Sequence, residues 1–183
     1  MSFPSIVAFR HVDGFEVAFL DDTRVEGTTT AVQSGESFVV SYVITLDAKF
    51  RTTHARVTGR TARGNHQLTL EGDGAGHWLV DGQPAPQLDG CFDVDLESSA
   101  LTNALAVRRL ALGIGEESEA PAVWVRALGL SVERLEQHYR RLPSTKPGER
   151  YAYSSPAFGV NCELEFDEFG VVLDYPGIAT RVS

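Results

Sequence analysis

The sequence predicts a mainly β protein, one domain of short antiparallel strands over residues 1–183. Three observations lead there. Apolar and polar residues alternate with a period of two in many short runs, most clearly in Phe38, Val40, Tyr42, Ile44 and Leu46. Turn signals such as Asp13-Gly14, Ser34-Gly35, Asp81-Gly82 and Asp89-Gly90 punctuate the runs at near-regular spacing, as in a β-meander. A chain of 183 residues can bury a sizeable core in one domain, and it carries no linker, repeat or low-complexity segment.

Taken in order, the alternation predicts strands at 7–11 and 15–20, the second ended by Asp21-Asp22. Residues 24–33 are polar and rich in threonine. With Gly27 inside them they read as an extended segment with a bend or bulge. Strands follow at 38–46, 52–61 and 67–70. The stretch 76–112 is the densest in unusual chemistry and reads as three strands. His77 to Asp81 alternates, and prolines 84 and 86 keep 83–87 out of a regular sheet. In 91–96, Cys91, Asp93 and Asp95 share one face while Phe92, Val94 and Leu96 share the other. Residues 98–103 read as a loop. From Ala104, Leu105, Val107 and Arg109 alternate with Ala106, Arg108, Leu110 and Leu112, which reads as a further strand. An arginine among leucines needs a carboxylate or a route to water.

Beyond this stretch, 113–121 is an acidic surface loop and 122–130 a strand. Residues 130–142 fit two patterns: Val132, Leu135, Tyr139 and Leu142 make a helical stripe, and Gln137 with Tyr139 also suits a strand. Residues 143–149 form a loop. Strands at 150–154, 160–166 and 171–175 follow, the last two joined as a hairpin over 167–170, and 178–182 closes the sheet.

Composition narrows the function classes. Hydrophobic content of 43% and charged content of 22% are those of a globular protein. A net charge of −9 disfavours nucleic acid and anionic membrane surfaces as partners. The N-terminus lacks a basic start followed by a long apolar run, and no membrane span is present, so a cytoplasmic location is expected. Cys91 and Cys162 lack metal-type spacing and are expected to be free thiols. The five histidines show no zinc-type spacing, and nucleophile-elbow, P-loop and dinucleotide motifs are missing. No metal or cofactor is expected.

The segments Gly76-His-Trp-Leu-Val-Asp-Gly82, Leu88-Asp-Gly-Cys-Phe-Asp-Val-Asp-Leu96 and Thr102-Asn-Ala-Leu-Ala-Val-Arg-Arg-Leu-Ala-Leu112 carry a resemblance. With Gln137 and Tyr139, Tyr151 and Tyr153, and Tyr175-Pro176-Gly177, they resemble the glycolipid-binding family first catalogued as a domain of unknown function. The match spans nearly the whole chain. It departs from the family pattern at 99–103, which lacks a proline and a phenylalanine, and at 105–110, which lacks a proline and which the pattern makes a strand. The resemblance implies a spiral β-roll, or open curved antiparallel barrel, with at most one or two short helices. That fold is similar to the bacterial lipoprotein localisation factors, and the ligand-binding role is inferred from its shape.

Three functions compete. The first is a lipid- or glycolipid-binding protein without catalysis, holding an apolar ligand in a β-roll cavity. Its site residues would be Trp78, Asp93, Asp95, Asn103, Arg108, Arg109, Tyr139, Tyr151 and Tyr153. Aromatic walls with polar tips suit an elongated apolar ligand bearing hydroxyls. Arginine suits a phosphate or carboxylate headgroup, and aspartate suits sugar hydroxyls. The second is an enzyme with Asp93 or Asp95 as general base. Against it stands a structural reading, in which the aspartates face solvent or pair with Arg108 and Arg109. The third is an interaction module using a free sheet edge. Cys91 beside His77 lacks the context of a nucleophile and reads as a small buried thiol.

Overall fold

The computed structural model describes residues 4–183. The first three residues, where the domain and N-terminal readings begin, lie outside the described residues. The period-two runs become a long meander. Strands β1 (Ile6–His11), β2 (Gly14–Leu20), β3 (Arg24–Gln33), β4 (Glu36–Leu46), β5 (Thr52–Thr61), β6 (Gly64–Gly72), β7 (Trp78–Val80) and β8 (Gln83–Pro84) each pair antiparallel with the next. Next come β9 (Asp93–Leu96), helix α1 (Asn103–Leu110), β10 (Glu117–Glu119), β11 (Ala122–Val125), β12 (Val132–Leu135) and β13 (His138–Leu142). The chain ends with β14 (Glu149–Ser155), β15 (Val160–Phe166), β16 (Val172–Tyr175) and β17 (Ala179–Arg181).

Fourteen strands form one sheet in the order β10-β13-β14-β15-β16-β17-β1, then β2 to β8 in sequence. β17 therefore joins the two halves by pairing with both β16 and β1. The end strands β10 and β8 do not pair with each other, so the curved sheet stays open. A second sheet, β12-β11-β9, contains a parallel pair, β9 with β11. The expected fold class, a mainly β open roll with at most one or two short helices, is what forms, with α1 as the α-helix among the described residues. Among the described residues, no helix is long and apolar enough to cross a membrane.

Several elements differ from expectation for identifiable reasons. Residues 104–112 are not a strand: Asn103–Leu110 is α1. Ala, Leu and Arg are strong helix formers, and their alternation here imitates a strand. The helix fills the inside of the curve, burying Ala104, Leu105, Ala106 and Val107 beside Leu101. Its two arginines sit in the last turn, where the helix dipole favours them. Residues 130–142 resolve into β12 and β13. Strand β11 stops at Val125, with all four of its residues buried because both faces are covered. The acidic loop contains the short edge strand β10. Gly27 makes no bulge: β3 runs in unbroken register with β2 and β4. Glycine is needed there because a Cβ would lie 2.5 Å from the Tyr42 hydroxyl.

Candidate functional site

The turn between β9 and α1 gathers polar side chains from distant parts of the chain. Thr102 leaves the helix N-terminus without a side-chain cap. Its hydroxyl donates instead to Asp95 Oδ1 at 2.8 Å and accepts from the Leu96 N–H. Gln137 Nε2 donates to Asp95 Oδ2. Tyr139 donates to Asn103 Oδ1 at 2.8 Å, with Gln137 Oε1 at 3.4 Å. One network thus ties β9, the start of α1 and β13.

Both faces of β9 are covered. Val94 and Leu96 enter the apolar core. Asp93 is buried and meets Arg109, whose Nε and Nη2 bind both carboxylate oxygens at 2.6–3.0 Å. Burial pushes the Asp93 carboxyl up, and Arg109 opposes that rise. Asp95 opens partly onto a pocket. Burial pushes its pKa up to about 6 against the bonds from Thr102 and Gln137, and the Asp93 and Glu97 charges add to the rise.

This pocket has a volume of about 210 Å³. Its polar floor is Asp95, Glu97, Ser99 and Asn103, and its walls include Trp124, Leu135, Tyr153, Phe158, Tyr175 and Ile178. Trp124 and Phe158 rings meet at 4.7 Å, and Tyr153 and Tyr175 meet edge to face at 5.9 Å. Phe158 and Ile178 form an apolar lip, 49% and 38% exposed. Such groups, left in water at the mouth of a polar-floored pocket, favour a partly apolar ligand.

Of the nine residues expected from sequence, Asp95, Asn103 and Tyr153 line this pocket. Asp93, Arg109, Tyr139 and Tyr151 lie behind or beside it: Tyr139 meets Tyr151 edge to face and Tyr153 at a tilt, and the Tyr151 hydroxyl is held by Glu149. Arg108 points elsewhere. It donates to the Phe169 carbonyl, approaches Asp22 at 3.8 Å and covers the Phe50 ring. Trp78 lies at the β6–β8 end, bonded to the Cys91 carbonyl, and lines a separate depression of about 610 Å³ with Asp73, His77 and Asp89. His77 pairs with Asp73 at 2.8 Å. Cys91 is buried, and burial pushes its thiol up to about 11, far from a nucleophile's range.

Sequence reasoning missed Glu16. It sits at 0% exposure on the inner face of β2. Its carboxylate accepts from Tyr42 at 2.7 Å, from Ser99 and from the Ala100 N–H, and it pairs with His11 at 3.2 Å. Burial beside Glu16 pushes the Tyr42 hydroxyl well above the usual range. In Phe15-Glu16-Val17-Ala18-Phe19 the phenylalanines are the obvious inward residues, yet Phe15 and Phe19 face solvent. Nothing local marks Glu16; only its distant partners do. Trp124, Phe158 and Tyr175 also lie outside the nine expected residues, and their aromatic side chains are the signal that marks them.

The comparisons with known proteins agree with this architecture. A DUF1089 family protein from Pseudomonas aeruginosa, known from its crystal structure at 1.80 Å resolution, is similar in fold with a TM-score of 0.86. It is 32% identical, over 93% of this chain and 92% of that one. The comparison with curated proteins finds no match. The model of the family described as "Putative glycolipid-binding" matches residues 10–181. With the open β-roll in place and the match running almost end to end, the chain belongs to that glycolipid-binding family.

Proposed function

We propose that the protein binds a lipid-like or glycolipid-like molecule, without catalysis of its own, in the pocket between β9, β11 and the β14–β17 strands. One observation carries this reading: aromatic residues, two exposed apolar side chains, carboxylates and an amide line the same pocket. The volume of about 210 Å³ is below the roughly 300–1,000 Å³ of pockets that enclose a drug-sized ligand. The pocket therefore takes one end of the ligand, and the remainder lies along Phe158 and Ile178. Ten methylenes fully buried are worth about 8 kcal/mol, against an association cost of about 4 kcal/mol or more. A chain only partly covered gives modest affinity, so the polar floor has to contribute. The test is native mass spectrometry on protein prepared without detergent, followed by organic extraction. A released amphiphile, lost in Phe158→Ala, supports the reading. A clean apo mass together with no uptake of added alkyl glycosides overturns it.

A second reading has one specific observation behind it. Asp95, with its pKa raised to about 6, faces an open pocket and could take a proton from a bound substrate. Its neighbour Glu97 is already committed to Gln33, Arg126 and the Ala127 N–H. Turnover of any bound amphiphile, abolished by Asp95→Asn with binding retained, would establish this reading over the first.

A further inference from the structure

The outer face of strands β1 to β6 lies apart from the pocket and carries its own pattern. One cross-strand row on that face runs Arg10, Phe15, Thr30, Val39, Arg60 and Asn65, each residue opposite the next. A second row, four residues along each strand, runs Ile6, Phe19, Glu26, Val43, Arg56 and Thr69. The residues that alternate with these, such as Ala18, Val40, Tyr42 and Val57, are buried on the inner face. Phe15 is 43% exposed and Phe19 52%, with Ile6 and Val39 exposed beside them. Among the described residues, Arg10, Arg56 and Arg60 have no carboxylate within ion-pairing distance. Glu26, the carboxylate of the second row, is already bonded to Arg24 at 2.8 Å. Beside Arg60 lies a hollow of about 520 Å³, lined by Ser41, Thr58, Asn65 and Gln67 and by no carboxylate. In a chain with a net charge of −9, a face that groups exposed apolar side chains with uncompensated arginines calls for an anionic, partly apolar partner.

We infer that this face docks on an anionic lipid bilayer, with Phe15 and Phe19 entering the boundary between headgroups and acyl chains and Arg10, Arg56 and Arg60 facing lipid phosphates. The arrangement suits that boundary: rings and aliphatic side chains sit in the middle of the rows, and arginines stand at or near their ends, where long stems let the guanidinium stay at headgroup level. The overall negative charge opposes such a surface, yet screening at physiological salt limits the reach of each charge to about 8 Å. The field that the bilayer meets is therefore that of the face turned towards it. Two other partners fit less well. Phe15 and Phe19 are about 14 Å apart along β2, with Val17 between them, too far to stack successive bases of a nucleic acid strand. A second copy of the same face would set three arginines against three, with only the engaged Glu26 to offset them. The inference concerns where the protein works and not what the pocket holds, so it stands or falls independently of the amphiphile-binding reading.

The experiment is flotation of the protein with two kinds of vesicle, phosphatidylcholine alone and phosphatidylcholine mixed in equal parts with phosphatidylglycerol, at low and at high salt. Binding to the mixed vesicles is expected to be about tenfold tighter or more, and to weaken as salt rises. The double variant Arg56→Gln/Arg60→Gln should bind them about twenty-five-fold more weakly, at about fivefold for each arginine near an anionic surface. Phe15→Thr/Phe19→Thr should lose about tenfold on the same vesicles through the apolar area no longer buried. All four positions are exposed, so both variants should keep the Tm of the parent. Phe158→Ala, which alters the pocket lip and not this face, should bind vesicles as the parent does. No binding to the mixed vesicles would overturn the inference, and so would binding that neither double variant weakens or that Phe158→Ala alone abolishes. Tighter binding of single-stranded RNA, lost in the same variants, would assign the face to nucleic acid and overturn it. A dimer in solution that Phe15→Thr/Phe19→Thr dissociates would assign the face to a second copy and overturn it as well.

Discussion

The most direct test of the site is the pH dependence of stability at Asp95. Its pKa rises from the ordinary 3.8 to about 6 on folding, chiefly through burial. The sign follows from linkage. Between these values the native state binds more protons than the unfolded chain, so stability falls as pH rises through the window from about 4 to 6. The difference corresponds to about 3 kcal/mol at neutral pH, an upper figure because Asp95 is partly open to the pocket. Asp95→Asn removes the titration. The assay is urea unfolding followed by fluorescence of Trp78 and Trp124 at a series of pH values, wild type against variant. The stability of the variant relative to wild type should be higher at pH 7 than at pH 4 by up to about 3 kcal/mol. Asp93, Glu97, Tyr139, Tyr153 and Tyr175 surround the same space in both proteins, so their own contributions largely cancel. Parallel stability profiles between pH 4 and 7 would show that Asp95 is not a desolvated carboxylate and would remove the argument for a raised pKa at the pocket floor. The same chemistry acts on binding. A ligand hydroxyl donated to Asp95 stabilises the ionised form, so affinity should climb as pH rises through about 6.

The remaining predictions concern the frame around the pocket. Arg109→Ala leaves Asp93 buried without its bidentate partner and should cost about 3–5 kcal/mol in chemical unfolding, much of it recovered in the double variant Asp93→Asn/Arg109→Met. Gly27→Ala places a Cβ 2.5 Å from the Tyr42 hydroxyl and 3.0 Å from Ala18 Cβ. Overpacking of this kind costs about 1–3 kcal/mol, read as a lowered Tm, and a variant as stable as wild type would contradict the packing described. Glu16→Ala removes the acceptor shared by Tyr42, Ser99, Ala100 and His11 and should cost about 3–5 kcal/mol, with Glu16→Gln markedly milder.

What the sequence reveals here follows the range of the forces involved. Local alternation is enough to place β4, β5 and β15, because one covered face imposes a strict period of two. The same rule misplaces α1, where Ala104 to Leu110 alternates by accident and the environment is apolar on nearly every side. Helix-forming composition was the available signal, outweighed by an apparent period. At the site, Asp95, Asn103 and Tyr153 stood out because polar groups near apolar runs need explaining. Glu16 did not, since its meaning lies in cross-strand and turn partners far away in the chain. Arg108 and Arg109 are adjacent in sequence, yet a helix turn sends one to Asp93 and the other toward Phe50 and Phe169. A period of two also puts them on opposite faces, but it cannot name the partner that each one finds.

The segment that appeared least structured, 98–103, holds the two halves of the sheet to one another. Ser99 and Ala100 bind Glu16 of β2 in the N-terminal half. Thr102 binds Asp95, which also takes Gln137, and Asn103 accepts from Tyr139 in the C-terminal half. A polar turn buried in an apolar roll is stable only when every group finds a partner, and those partners fix its position from both sides. The pocket floor is therefore tied down by hydrogen bonds, while the apolar lip of Phe158 and Ile178 is exposed. A preorganised polar floor reduces the ordering cost of binding a headgroup, and an exposed apolar lip accepts chains of varied length. On the proposed amphiphile-binding reading, that combination would select by headgroup and tolerate variation in the tail.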